Sequence, residues 1–66
     1  MQFLIEELSC NHCAGVITKT VAGVDPAATL QIDIPSKTVK IQTTASTASM
    51  AGALEQAGYP AIFQSE

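Results

Sequence analysis

Cys10 and Cys13 are the residues of this chain best suited to chemistry, and they stand two residues apart in the segment Ser9-Cys10-Asn11-His12-Cys13. The 66-residue sequence has no other cysteine. An ionised thiol is both a soft metal ligand and a redox nucleophile. The pair can therefore hold a thiophilic ion or exchange electrons through a disulfide.

The number of available ligands favours a two-coordinate soft ion. The pattern predicts that Cys10 lies just before a helix and Cys13 in its first turn, where unpaired N–H groups favour the thiolate form. A structural zinc site needs four protein ligands, and the motif supplies two cysteines and His12. Glu6 and Glu7 precede the loop, but nothing obliges them to converge on it. Cu(I) accepts two thiolates and fits better, with Hg(II), Zn(II) and Cd(II) as alternatives.

The enzyme alternative is a thiol-disulfide oxidoreductase. Thioredoxin-like domains are longer, begin with a βαβ unit, and usually carry an aromatic residue before the motif and a proline within it. This sequence has none of these features. Two cysteines so close together also cannot cross-link a distant loop, which argues against a disulfide scaffold. We therefore predict a binding protein and not an enzyme.

Composition excludes two further classes of function. The net charge is −3 and the only basic residues besides His12 are three lysines, so clustered cations for nucleic-acid binding are lacking. The first apolar run ends after three residues at Glu6, which is unlike a secretory signal, and no run approaches the ~18 apolar residues of a membrane span. We expect a cytoplasmic location, where cysteine pairs more often serve as ligands or catalytic groups.

Hydrophobic periodicity predicts six elements in one domain covering residues 1–66. A strand is expected over residues 2–8, then a helix whose apolar face follows Cys13 at helical spacing, with Asn11 or Ser9 as its cap and Gly23 at its end. Two alternating runs around Pro35-Ser36-Lys37 predict a hairpin.

The second half completes the pattern. Met50 and Leu54 predict a second helix that starts at a Ser46 cap and ends near Gly58, with Met50 in the core. A last strand is expected through Ala61, Ile62 and Phe63. The order β-α-β-β-α-β predicts an α+β fold of two layers, with two helices covering a four-stranded antiparallel sheet.

The chain also resembles a known family. The segment Leu8-Ser9-Cys10-Asn11-His12-Cys13 in the first loop of this pattern, with a late Ala57-Gly58-Tyr59, is similar to the heavy-metal-associated domain. That family includes small cytosolic copper(I) chaperones, metal-binding modules of copper-transporting P-type ATPases, and mercury-binding proteins. The resemblance covers essentially the whole chain. It implies a ferredoxin-like fold and Cu(I) bound by the thiolates of Cys10 and Cys13.

Three further residues are auxiliary candidates at this site. Leu8 stands where the family usually has a methionine that anchors the loop in the core, and leucine can pack in the same way. His12 is expected to be an exposed neutral imidazole beside the metal, with a third-ligand role as the alternative. In the family the late loop faces the metal loop, which implies that Tyr59 shields the site; the alternative is an aromatic residue at the core edge.

These features together predict a copper(I) metallochaperone. It would pass Cu(I) by thiolate exchange to a CxxC-bearing metal-binding domain, such as that of a copper-transporting P-type ATPase. An exposed apolar rim of Leu8, Ala14 and Tyr59 would dock the partner, and the same rim would allow a metal-linked homodimer. Met1 and the lack of a trailing linker favour a free-standing protein, with an excised ATPase module as the alternative.

Overall fold

The chain folds into four strands and two helices in the predicted order. The computed structural model describes residues 1–9 and 11–65. Its elements are β1 (Gln2–Leu4), α1 (Asn11–Val24), β2 (Thr29–Asp33), β3 (Thr38–Gln42), α2 (Thr47–Gln56) and β4 (Ile62–Ser65). In this part of the chain no helix is long and apolar enough to cross a membrane.

The strands form one antiparallel sheet in the order β2-β3-β1-β4. Leu4 of β1 pairs with Thr38 of β3 on one side and with Ile62 of β4 on the other. The two helices pack against each other. This arrangement confirms the predicted ferredoxin-like α+β sandwich.

The core lies between the sheet and the helices. Both helices, the inner strands β1 and β3, and the segment that follows β1 contribute fully or almost fully buried apolar residues to one cluster: Phe3, Ile5, Leu8, Ile17, Val21, Val39, Ile41, Met50 and Leu54. Ile17 and Val21 lie four residues apart on α1, as the predicted apolar face requires. The prediction that Met50 belongs to the core is confirmed, because its side chain is inaccessible to solvent.

Element ends differ from the prediction at the first strand and the first helix. β1 ends at Leu4 and not at residue 8, because residues 6 and 7 form a turn that the Leu8 amide closes on the Ile5 carbonyl at 3.0 Å. α1 already includes Asn11, so Asn11 is not its cap. Gly23 lies inside α1, which ends at Val24, since the backbone of the residue before Pro26 disfavours the helical region.

The second half follows the prediction more closely. The Ser46 side chain caps α2 by accepting a hydrogen bond from the Ser49 amide at 3.1 Å. Gly58 adopts a φ of +93° just after the helix, a conformation that glycine takes without a steric penalty. The hairpin turn is closed by the Lys37 amide, which donates to the Ile34 carbonyl at 3.0 Å. β4 begins at Ile62, one residue later than expected.

Candidate metal centre

Strand register brings three connections to one end of the sheet. Because Leu4 pairs with both Thr38 and Ile62, the end of β1 lies beside the start of β3 and the start of β4. The segment that follows β1, the turn that precedes β3 and the segment that precedes β4 therefore share this end. The first of these connections leads into α1, whose first turn carries Cys13, and Tyr59 lies on the third.

The segment from Ile5 to Leu8, here called the anchor turn, leads into the motif. Its first amide, that of Ile5, donates to the Lys37 carbonyl at 2.8 Å, and the Leu8 amide donates back to the Ile5 carbonyl at 3.0 Å. Leu8 is fully buried, whereas Glu6 and Glu7 are exposed. The prediction that Leu8 packs in the core is confirmed. Its assignment to an exposed docking rim is wrong, because the anchor turn directs the side chain inward.

Cys13 is the third residue of α1 and lies at the edge of the core. Its side chain is half-buried, and its Sγ atom stands 4.0 Å from the Ser9 hydroxyl oxygen. The first turn of α1 contains no acidic residue, so no side-chain carboxylate there offsets the partial positive charge of the helix start. The partial positive charge of a helix start in general favours a thiolate at such a position. Cys10 lies outside the described residues, and its place in the site stays a prediction.

His12 and the nearby carboxylates do not form a larger ligand cluster. His12 is exposed on α1, in agreement with the expected solvent-facing imidazole. Among residues 1–9 and 11–65, no three His, Cys, Asp or Glu side chains gather closely enough to hold a metal. Glu6 and Glu7 therefore do not join His12 and Cys13 in a zinc-like site. Ligation by His12 together with Cys10 stays untested.

Tyr59 lies at the same end of the sheet as the motif. Its amide donates to the Leu54 carbonyl at 2.9 Å, directly after Gly58 has turned the chain. The side chain is half-buried and packs against the core, which agrees with the aromatic residue at the core edge. Ala14 of α1 is half-buried in the same way. A shielding role for Tyr59 is compatible with this position and stays a prediction.

Two contacts at this end were not anticipated from the sequence. The Ser9 hydroxyl approaches Cys13, whereas the sequence predicts only a possible helix-capping role for Ser9. The Lys37 ammonium donates to the Glu6 carbonyl at 3.2 Å. Lys37 and Glu6 are 31 residues apart, so only the strand register could have revealed this second contact.

Comparisons with known proteins agree with this architecture. The sequence profile of the heavy-metal-associated domain matches residues 2–60. No curated protein sequence matches the chain significantly.

Solved structures provide closer parallels. A gold binding protein is 35% identical, with 94% of this chain and 95% of that chain covered and a TM-score of 0.91. The copper chaperone Atx1 from Synechocystis PCC6803 is 31% identical, with 92% and 97% covered and a TM-score of 0.88. A protein from Agrobacterium tumefaciens is 33% identical, with 91% and 94% covered and a TM-score of 0.83. With its sequence profile, its sheet order and these structural parallels in agreement, the chain belongs to the heavy-metal-associated domain family.

Proposed function

We propose that this chain is a cytoplasmic copper(I) metallochaperone that binds Cu(I) through Cys10 and Cys13. The observation that carries the proposal is the position of Cys13. It lies in the first turn of α1, the helix that follows the anchor turn in the sequence, in a chain that is similar in structure to a copper chaperone. Two thiolates bound to Cu(I) give a complex of net charge −1, which the positive end of the helix stabilises.

Transfer would proceed by ligand exchange. A thiolate of the partner's CxxC motif forms a third sulfur–copper bond, after which one bond to Cys10 or Cys13 breaks. A second exchange completes the transfer, with no change in the copper oxidation state. A metal-binding domain of a copper-transporting P-type ATPase has the required ligands. The same step between two copies of this chain would give a metal-linked homodimer.

The likeness to a gold binding protein supports a second candidate cargo, a soft ion of gold. Two thiolates do not by themselves distinguish Cu(I) from an ion of gold, or from Hg(II), Zn(II) or Cd(II). Competition between these ions and Cu(I) for the reduced protein, followed by mass spectrometry, would rank them. Preferential retention of Cu(I) is expected.

The decisive experiment is an anaerobic Cu(I) titration against a competing chelator. We expect Cys10→Ser and Cys13→Ser each to lose more than about 100-fold in affinity, since they remove ligands and not supporting groups. His12→Ala should change the affinity by less than about threefold, and loss of tight binding in this variant would show that the imidazole coordinates. Asn11→Ser is the matched control, because it places the same hydroxyl between the cysteines and should bind normally.

Two outcomes would contradict the proposal. Retention of tight Cu(I) binding by both serine variants would show that the metal lies elsewhere. Disulfide reduction that the reduced protein accelerates catalytically in the presence of a strong Cu(I) chelator would favour the oxidoreductase instead.

A further inference from the structure

We propose that Lys37, in the turn between β2 and β3, is a positioning residue that holds the metal-binding loop in place. The part of this inference that concerns metal release rests on the proposed function. The part that concerns the loop does not, because it can be measured without metal.

Lys37 contacts the anchor turn through both its backbone and its side chain. Its carbonyl accepts the Ile5 amide at 2.8 Å, and its ammonium donates to the Glu6 carbonyl at 3.2 Å. The same segment is closed internally by the Leu8 amide on the Ile5 carbonyl. Lys37 thus joins two connections that are far apart in sequence, and it does so next to the segment that leads into the cysteines.

The backbone conformation of Lys37 does not explain why a lysine occupies this position. The contact that its side chain makes does. Lys37 has a φ of +58°, and no other non-glycine residue in the described part of the chain has a positive φ. The left-handed region is unfavourable for a residue with a Cβ atom and is usually taken by glycine or asparagine. Glycine would serve the turn equally well, but it could not supply the ammonium that reaches Glu6.

The expected consequence is a less mobile loop. The peptide group of Glu6 lies within the anchor turn, two residues before fully buried Leu8. A donor on its carbonyl restrains this peptide and, through the turn, the chain that continues to Ser9. Without the restraint the turn should open more often, and a metal held by the following cysteines should dissociate more readily.

The first experiment measures amide hydrogen exchange in the reduced, metal-free protein. Lys37→Met should raise the exchange rate of the Leu8 amide by about threefold or more, because exchange reports local opening. The Ile41 amide, which donates to the Met1 carbonyl, serves as a reference that should not change. Lys40→Met is the matched control, since Lys40 is exposed on β3 and carries the same charge.

Two more variants separate positioning from stability. Lys37→Arg retains a donor and should restore much of the Leu8 protection. Lys37→Gly relieves the unfavourable φ but removes the ammonium, so it should unfold at a similar denaturant concentration yet expose the Leu8 amide faster. Equal Leu8 exchange in the wild type and in the methionine and glycine variants would overturn the proposal, as would equal acceleration in the Lys37 and Lys40 methionine variants.

The second experiment concerns metal release. Cu(I) transfer from Lys37→Met to a chelator should be about two- to fivefold faster than from Lys40→Met, mainly through the dissociation step. If the wild type binds no Cu(I), the proposed function fails while the exchange experiment still decides the role of Lys37. If Cu(I) binds and both variants release it at the same rate, the link from the turn to the metal is wrong.

Discussion

Leu8 shows how one buried residue can fix the start of the proposed metal-binding loop from within the core. It lies two residues before Cys10, yet its side chain is completely buried with Ile5, Ile17 and the rest of the core. The loop is therefore fixed by hydrophobic packing just before the motif begins. Leu8 is thus the last buried residue before the motif in the described part of the chain.

Truncation at Leu8 should destabilise the whole domain. Leu8→Ala removes a fully buried side chain and should cost about 2–5 kcal/mol in the free energy of unfolding. Urea denaturation measures this loss. Leu8→Met conserves volume and should cost less than about 1.5 kcal/mol while keeping Cu(I) binding. A large change in Cu(I) affinity in a fully folded Leu8→Met variant would contradict the packing role.

The predictability of these residues depends on how local their interactions are. The family resemblance predicts a core role for Leu8, whereas its apolar type alone also led to the wrong prediction of an exposed rim. The contact of Lys37 with Glu6 could not be assigned, because it arises only when β3 pairs with β1. The approach of Ser9 to Cys13 was missed for another reason, since a hydroxyl before a helix is usually interpreted as a cap.

At the scale of elements, a cap and two buried side chains, and not a high content of strong helix formers, define helix α2. Residues 43–52 are rich in Thr, Ser and Ala and could be interpreted as a linker. The extended backbone of Ser46, with φ −72° and ψ 153°, lets its Oγ accept the Ser49 amide. Met50 and Leu54 then bury one face of the helix against the core. The cap and the two buried side chains together define the helix.

Loss of the Ser46 cap should weaken this helix measurably. Ser46→Ala leaves the Ser49 amide without its side-chain acceptor and should lower the free energy of unfolding by about 1 kcal/mol. Thermal unfolding followed by circular dichroism provides the measurement. Ser46→Asp keeps an acceptor and should be as stable as the wild type. Equal losses in both variants would indicate that the backbone, and not the cap, is responsible.

Element order was easier to predict than element ends. Hydrophobic periodicity identified the first three strands and the apolar face of each helix, because burial imposes periodicity on the sequence. The last strand was predicted from an apolar run without alternation, and all its residues are exposed. The end of β1 was predicted too late because Ile5 and Leu8 are also apolar and buried, although they belong to a turn. The end of α1 was placed at Gly23 because glycine often follows a helix, whereas the nearby Pro26 determined the actual end.

At the scale of the whole molecule, a side-chain hydrogen bond connects two segments at the end of the sheet opposite the motif. Thr43, just after β3, donates its hydroxyl to a carboxylate oxygen of Asp25, just after α1, at 2.5 Å. The Ala27 amide donates to the other oxygen at 3.0 Å. Both hydrogen bonds hold the pKa of Asp25 below its ordinary value of 3.8, and the bond from Thr43 has the larger effect. This carboxylate connects the end of α1 to the end of β3, at the opposite end of the helix from Cys13.

The hydrogen bonds to the Asp25 carboxylate should make the domain less stable as the pH falls. A carboxyl group whose pKa is lowered by folding stabilises the native state above its unfolded pKa, and this contribution disappears as the pH falls through the folded pKa. Thr43→Val should therefore raise the pKa of Asp25 in an NMR titration. It should also lower the melting temperature more at pH 6 than at pH 2. Thr43→Ser keeps the donor and should behave like the wild type.

Thr43→Val should also cause a loss of stability that does not depend on pH. The Thr43 hydroxyl accepts the Ala45 amide at 3.1 Å as well, and this second bond is lost at every pH. The test therefore lies in the difference between the two pH values and not in the total loss of stability. A melting-temperature difference between Thr43→Val and Thr43→Ser that stays constant from pH 6 to pH 2 would show that the Asp25 carboxylate does not tie the two connections together.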